Sequence, residues 1–111
     1  MKLIKNVDHE AVFAMKDLIE YQDGKVASMT LTQQKEIGLT LFAIAKGEGL
    51  SAHAATGDAF VTILEGTARI QIEDKIYEVN GGESIIMPSG KPHSLKAISN
   101  FKMLLTLVKE G

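Results

Sequence analysis

From Gly24 onward, apolar and polar residues alternate in short runs that turn residues cut apart. Over Lys25 to Leu31, Val26, Ser28 and Thr30 alternate with Ala27, Met29 and Leu31, the period of two of a strand. Ile37 to Ala45 is apolar at both odd and even positions, as a strand covered on two faces is. Gly47-Glu48-Gly49 ends it. Ser51 to Ala55 and Ala59 to Leu64 follow, joined through Thr56-Gly57-Asp58. Glu65-Gly66 turns into a run in which Ala68, Ile70 and Ile72 alternate with Thr67, Arg69 and Gln71. Glu73-Asp74-Lys75 turns again into Ile76 to Val79, and Asn80-Gly81-Gly82 is a strong turn signal. Ser84 to Met87, Pro92 to Ala97 and Phe101 to Val108 complete the series. Roughly nine or ten short strands at this spacing predict an all-β sandwich or barrel.

Before Gly24 the pattern changes. Ala11, Val12, Met15, Leu18 and Ile19 recur near helical spacing, and Asp8 stands where an N-cap belongs, so a short helix is expected within Asp8 to Glu20. Asp17 to Gln22 reads equally well as an extended lead-in. The expected organisation is one domain over residues 1–111, with a lead-in over 1–24 and a barrel over about 25–108.

Composition narrows the function. A net charge of −2 leaves no basic field for a phosphate backbone, which argues against nucleic acid. The absence of cysteine excludes disulfides, thiolate catalysis and zinc–cysteine sites. No apolar run is long enough for a signal peptide or membrane span, so a cytoplasmic protein with no membrane partner is expected. No nucleophile–base pair or paired carboxylates stand out, and Gly81-Gly82 precedes a strand, unlike a nucleotide-binding loop. His9 reads as a surface residue, Asp17, Glu20 and Asp23 as a solvated face, and Met29, Met87 and Met103 as core fillers.

His53 and His93 are different, because each follows a recognisable frame. Gly47, His53 and Gly66 keep the spacing of a glycine, five residues, His-x-His, three or four residues, a glutamate, six residues and a glycine. Gly82, Pro88, Gly90 and His93 keep that of a glycine, five residues, Pro-x-Gly, two residues, a histidine, three residues and an asparagine. These two frames resemble the motifs of the cupin superfamily, over about residues 37 to 108. The resemblance implies a double-stranded β-helix, or jelly-roll, barrel with both histidines inside. Metal-binding cupins typically use three histidines and a glutamate. Here the second histidine falls on Ala55, the glutamate on Ala59 and the asparagine on Ala97.

With the histidines inward, strand alternation sketches the lining: His53 with Ala55, Ala59 with Val61 and Ile63, His93 with Leu95 and Ala97. Two imidazoles in an apolar wall of small residues suit a module that binds a small, partly apolar molecule. The other reading the resemblance leaves open is a metal-dependent dioxygenase or isomerase acting on a small organic acid or sugar. In it, His53 and His93 hold a weakly bound divalent metal: iron, manganese, nickel or zinc. A homodimer is expected, because Ile37 to Ala45 and Phe101 to Val108 carry more apolar residues than one interior face absorbs.

Overall fold

The structure is a computed structural model that describes residues 2–110. The turn residues cut the chain close to where the pattern places the breaks. Nine strands form among the described residues: β1 (Val26–Gln33), β2 (Ile37–Ile44), β3 (Gly49–His53), β4 (Asp58–Glu65), β5 (Thr67–Ile72), β6 (Lys75–Asn80), β7 (Ser84–Met87), β8 (His93–Ala97) and β9 (Phe101–Val108). They build a five-stranded sheet, ordered β1-β2-β9-β4-β7, and a four-stranded sheet, ordered β3-β8-β5-β6. Every pairing is antiparallel. Only β1–β2 and β5–β6 are hairpins between consecutive strands. Elsewhere the chain steps from one sheet to the other, so the two layers wind together as the expected double-stranded β-helix. Asn80-Gly81-Gly82 is such a step: β6 and β7 lie in different sheets.

The core fills the space between the layers. Val61, Ile63, Ile70, Phe101 and Met103 are wholly buried there, with Ile44, Ala68 and Leu95 beside them. Alternation holds on β5, where Ala68 and Ile70 are buried and Arg69 and Gln71 exposed.

The lead-in departs from the helical expectation. Among the described residues its only helix is a single 3-10 turn, Met15–Asp17, preceded by Ala14 with no side-chain cap. Asp8 caps nothing, and Glu10 has a left-handed φ of 58°, which interrupts any helix there. A helix this short is marginal on its own, and here tertiary anchoring decides the path. Ile19, Leu18, Tyr21, Met15 and Val7 pack with Leu31, Leu41, Ala43 and Leu104 in a second apolar cluster. The apolar positions of β2 and β9 that the sequence assigns to a partner subunit are thus covered in part by the chain itself.

A polar clasp fixes this cover. Lys102, only 7% exposed, donates from Nζ to the Lys16 carbonyl at 2.6 Å and sits 4.9 Å over the Tyr21 ring. The Tyr21 hydroxyl donates to Glu65 Oε2 at 2.6 Å, and burial together with that carboxylate holds the phenol well above its ordinary pKa. No helix among the described residues is long and apolar enough to cross a membrane.

Candidate functional site

His53 and His93 are direct cross-strand partners at the ends of β3 and β8. Leu50 pairs with Leu95, and both face the barrel interior. Strict alternation from Leu50 would turn His53 outward. Instead β3 spends three residues where β8 spends two, and this bulge brings His53 back to the inner face.

The two loops that carry the histidines are tied together. The Ser89 amide donates to Asp58 Oδ1 at 2.9 Å, the Gly57 amide to Ser89 Oγ at 2.8 Å, and the Gly90 amide to the Ala55 carbonyl at 2.9 Å. Asp58, the carboxylate nearest His53 in sequence, is therefore engaged in holding a loop and does not face the histidines.

The imidazole rings stack edge to face, with centroids 4.5 Å apart. His53 Nδ1 lies 2.8 Å from the Ser51 carbonyl, and His93 Nδ1 lies 3.2 Å from the Lys91 carbonyl. A carbonyl only accepts, so in each ring Nδ1 carries the proton and donates. In the neutral ring Nε2 is left as a lone-pair acceptor. His53 is exposed and His93 is 4% exposed, so the pair runs from the rim inward.

Burial lowers the His93 pKa, the neighbouring His53 lowers it further, and the Lys91 carbonyl partly opposes both. The folded protein therefore binds fewer protons at this position than the unfolded chain does. The stability His93 contributes is complete above the unfolded histidine value of about 6.5 and is lost as pH falls through the lower folded value. Melting temperature is expected to decline between pH 7 and pH 5, and His93→Gln to flatten that decline. An unchanged slope in the variant would assign the decline to other groups.

Beneath the pair lies a cavity of about 110 Å³. Of the residues the sequence nominates, His53, Ala55, Ala59, His93 and Leu95 line it. Val61, Ile63 and Ala97 face inward as alternation requires, but they are sealed in the core and do not reach the wall. Leu50, Met87, Met103, Leu105 and Leu107 complete the lining and were not nominated. The signal for them was present, since Met103, Leu105 and Leu107 recur at a strand period on one face of β9.

The donor set falls short of the three histidines and a glutamate that metal-binding cupins typically use, as the sequence already indicates. Ala55 and Ala59 bring no donors, and no three His, Cys, Asp or Glu side chains among the described residues group to hold a metal ion.

Comparison with known proteins agrees with this architecture. A family model described as the cupin domain matches residues 40–109. A conserved protein of unknown function from Streptococcus pyogenes is 39% identical, with a TM-score of 0.97 over 100% of this chain and 97% of its own. A cupin superfamily protein from Desulfitobacterium hafniense is 30% identical, with a TM-score of 0.92 over 96% of this chain and 98% of its own. A cupin 2 conserved barrel domain protein from Leptotrichia buccalis is 40% identical, with a TM-score of 0.85, and the match spans 87% of this chain and 47% of that protein. No curated protein matches the chain.

Proposed function

The chain belongs to the cupin family, and from that premise we propose that it is a binding module. Its barrel holds a small, partly apolar molecule whose polar group meets His53 and His93. The observation that carries this reading is a pair of imidazoles with free Nε2 atoms above a cavity otherwise walled by leucine, methionine and alanine. Such a site recognises a guest by one hydrogen-bond donor and excludes water from the rest of it. The cavity limits the guest to a few heavy atoms.

A screen of small neutral alcohols and amides by protein NMR tests the reading. Hits are expected to move the His53 and His93 ring signals, and His53→Ala or His93→Ala to weaken them about tenfold or more, as loss of a charge-neutral hydrogen bond in an apolar site costs about 1–3 kcal/mol. Stoichiometric iron, manganese, nickel or zinc in untagged protein would instead favour the metal-dependent enzyme, and hits that map outside the barrel would refute the module.

The module is proposed to act as a homodimer. The lead-in covers only part of the outer face of the five-stranded sheet. Phe60 and Ile86 pair across β4 and β7, and Ile37 and Val108 pair across β2 and β9. All four are exposed. Asp58, which pairs with Val108, shares this face, with one oxygen accepting from the Ser89 amide, and the apolar residues around it suit a second copy of the same strip about a two-fold axis. Sedimentation at micromolar concentration is expected to give twice the 12.0 kDa chain mass, and Phe60→Glu to give monomer. A monomeric parent would end the proposal.

A further inference from the structure

Between two anchors the lead-in arches away from the sheet it covers. At one end the Lys5 amide donates to the Leu31 carbonyl at 2.6 Å, Asn6 Nδ2 to the Thr30 carbonyl at 2.7 Å, and Thr32 Oγ1 to the Leu3 carbonyl at 2.8 Å. At the other end Lys102 holds the Lys16 carbonyl, and Ile19 is buried. Among the described residues no backbone hydrogen bond joins residues 7–13 to the sheet. Asn6 and Glu10 bend the arch with left-handed φ angles of 65° and 58°. Residues with side chains rarely adopt that conformation, and it persists only where the surroundings impose it.

Under the arch lies a groove of about 500 Å³, several times the volume of the barrel cavity. Leu31 of β1, Leu39 of β2 and Leu104 of β9 form its floor, and Val7, Phe13 and Met15 wall it from the arch. On β9, Leu104 faces the groove and the next residue, Leu105, faces the barrel cavity, so the sheet separates the two spaces. A mostly apolar space of this volume with a few polar groups is the usual form of a small-molecule site. The polar residues in the lining are Asp8, His9 and Glu10, all exposed. His9 is engaged, its Nε2 donating to the Ile4 carbonyl at 2.9 Å. Among the described residues no lysine or arginine lines the groove, and neither carboxylate has an ion-pair partner. An anionic head group at this mouth meets two like charges, whereas an ammonium is attracted to both.

We propose that this groove is a second binding site, separate from the barrel cavity, for an apolar amine. The apolar body lies on Leu31, Leu39 and Leu104, and the ammonium stays at the mouth beside Asp8 and Glu10. The body leaves water while the head remains hydrated, so the guest gains apolar burial without the cost of desolvating its charge. The carboxylates sort guests by charge. Exposed ion pairs are weak, which sets the preference for an amine over the matching alcohol at about three- to fivefold.

The test is an NMR titration of the protein with octylamine, 1-octanol and octanoate, one chain length with a cationic, a neutral and an anionic head. Octylamine is expected to shift the methyl signals of Leu31, Leu39 and Leu104 saturably, octanol to bind about three- to fivefold more weakly, and octanoate to bind weakest. Leu39→Ala, at a partly buried floor position, is expected to weaken octylamine and octanol alike by about fivefold or more. Asp8→Asn with Glu10→Gln changes only exposed side chains, so thermal unfolding should be unchanged while octylamine falls to the affinity of octanol. His53→Ala and His93→Ala leave the groove titration as in the parent, so failure of the barrel module and failure of the groove are read separately. The proposal is overturned if no head group moves these leucine signals, if octanoate binds as well as octylamine, or if the variant without the two carboxylates keeps the preference for octylamine. It is also overturned if the guest-free leucine signals shift with protein concentration and octylamine binds only to Phe60→Glu, because a second copy of the chain then fills the groove.

Discussion

Gly66→Ala is expected to destabilise the protein by about 3–5 kcal/mol, a large share of the stability of a domain this size. Gly66 joins β4 to β5 with a φ of +83°, a left-handed conformation that side-chain-bearing residues rarely adopt. A Cβ there would strike the Asn100 carbonyl oxygen and lie 2.7 Å from Phe101 Cα. Both obstacles are backbone, so no side chain can rotate away, and Phe101 is wholly buried at the start of β9. Relief would require β9 to move relative to β4, its neighbour in the sheet. Gly82→Ala isolates the conformational cost. Gly82 has a φ of +89°, but a Cβ there meets nothing within 4 Å, so that variant should lose only about 1 kcal/mol. Thermal unfolding of both variants should show a drop of about 10–20 °C for Gly66→Ala and a few degrees for Gly82→Ala. Equal drops would mean that the close approach of the Gly66 turn to β9 does not matter.

The second large effect is the rebuilding of a divalent metal centre. Ala55 and Ala59 line the same cavity as His53 and His93, so Ala55→His with Ala59→Glu would place three imidazoles and a carboxylate around one small space. Ala59 is 2% exposed, so the new carboxylate would lie out of water. Without metal the double variant should lose about 1–3 kcal/mol from overpacking, with a further loss from the buried charge. Nickel or manganese at about 1,000 times its dissociation constant should return about 4 kcal/mol. Melting temperatures of parent and variant, with and without metal, measure this directly. A large metal-induced rise in the parent and none in the variant would show that two histidines already suffice. The metal-dependent enzyme would then displace the binding module.

Much of the barrel was legible in the sequence, because its signals are local. The expected run Lys25 to Leu31 became Val26–Gln33, and Pro92 to Ala97 became His93–Ala97. Glycine, proline and asparagine set the turns through their own dihedral preferences, and a period of two needs only neighbouring residues to be read. His93, Leu95 and Ala97 face inward together because nothing interrupts β8. The lead-in was harder to read. Its helical spacing was real, but Met15, Leu18 and Ile19 are held by Leu31, Leu41 and Ala43, far along the chain, and the extended Ala14 breaks the run.

The sequence by itself determined the all-β class, the strand and turn positions and the two histidine frames, since each is written in residues a few positions apart. Only the tertiary structure decided that β6 and β7 part into different sheets, that a bulge in β3 restores His53 to the interior, and that Val61, Ile63 and Ala97 are sealed while Met87 reaches the cavity. Alternation says which face a residue takes. How strands pair across the sheets and how densely they pack says how deep it lies, and those depend on partners that no local window contains.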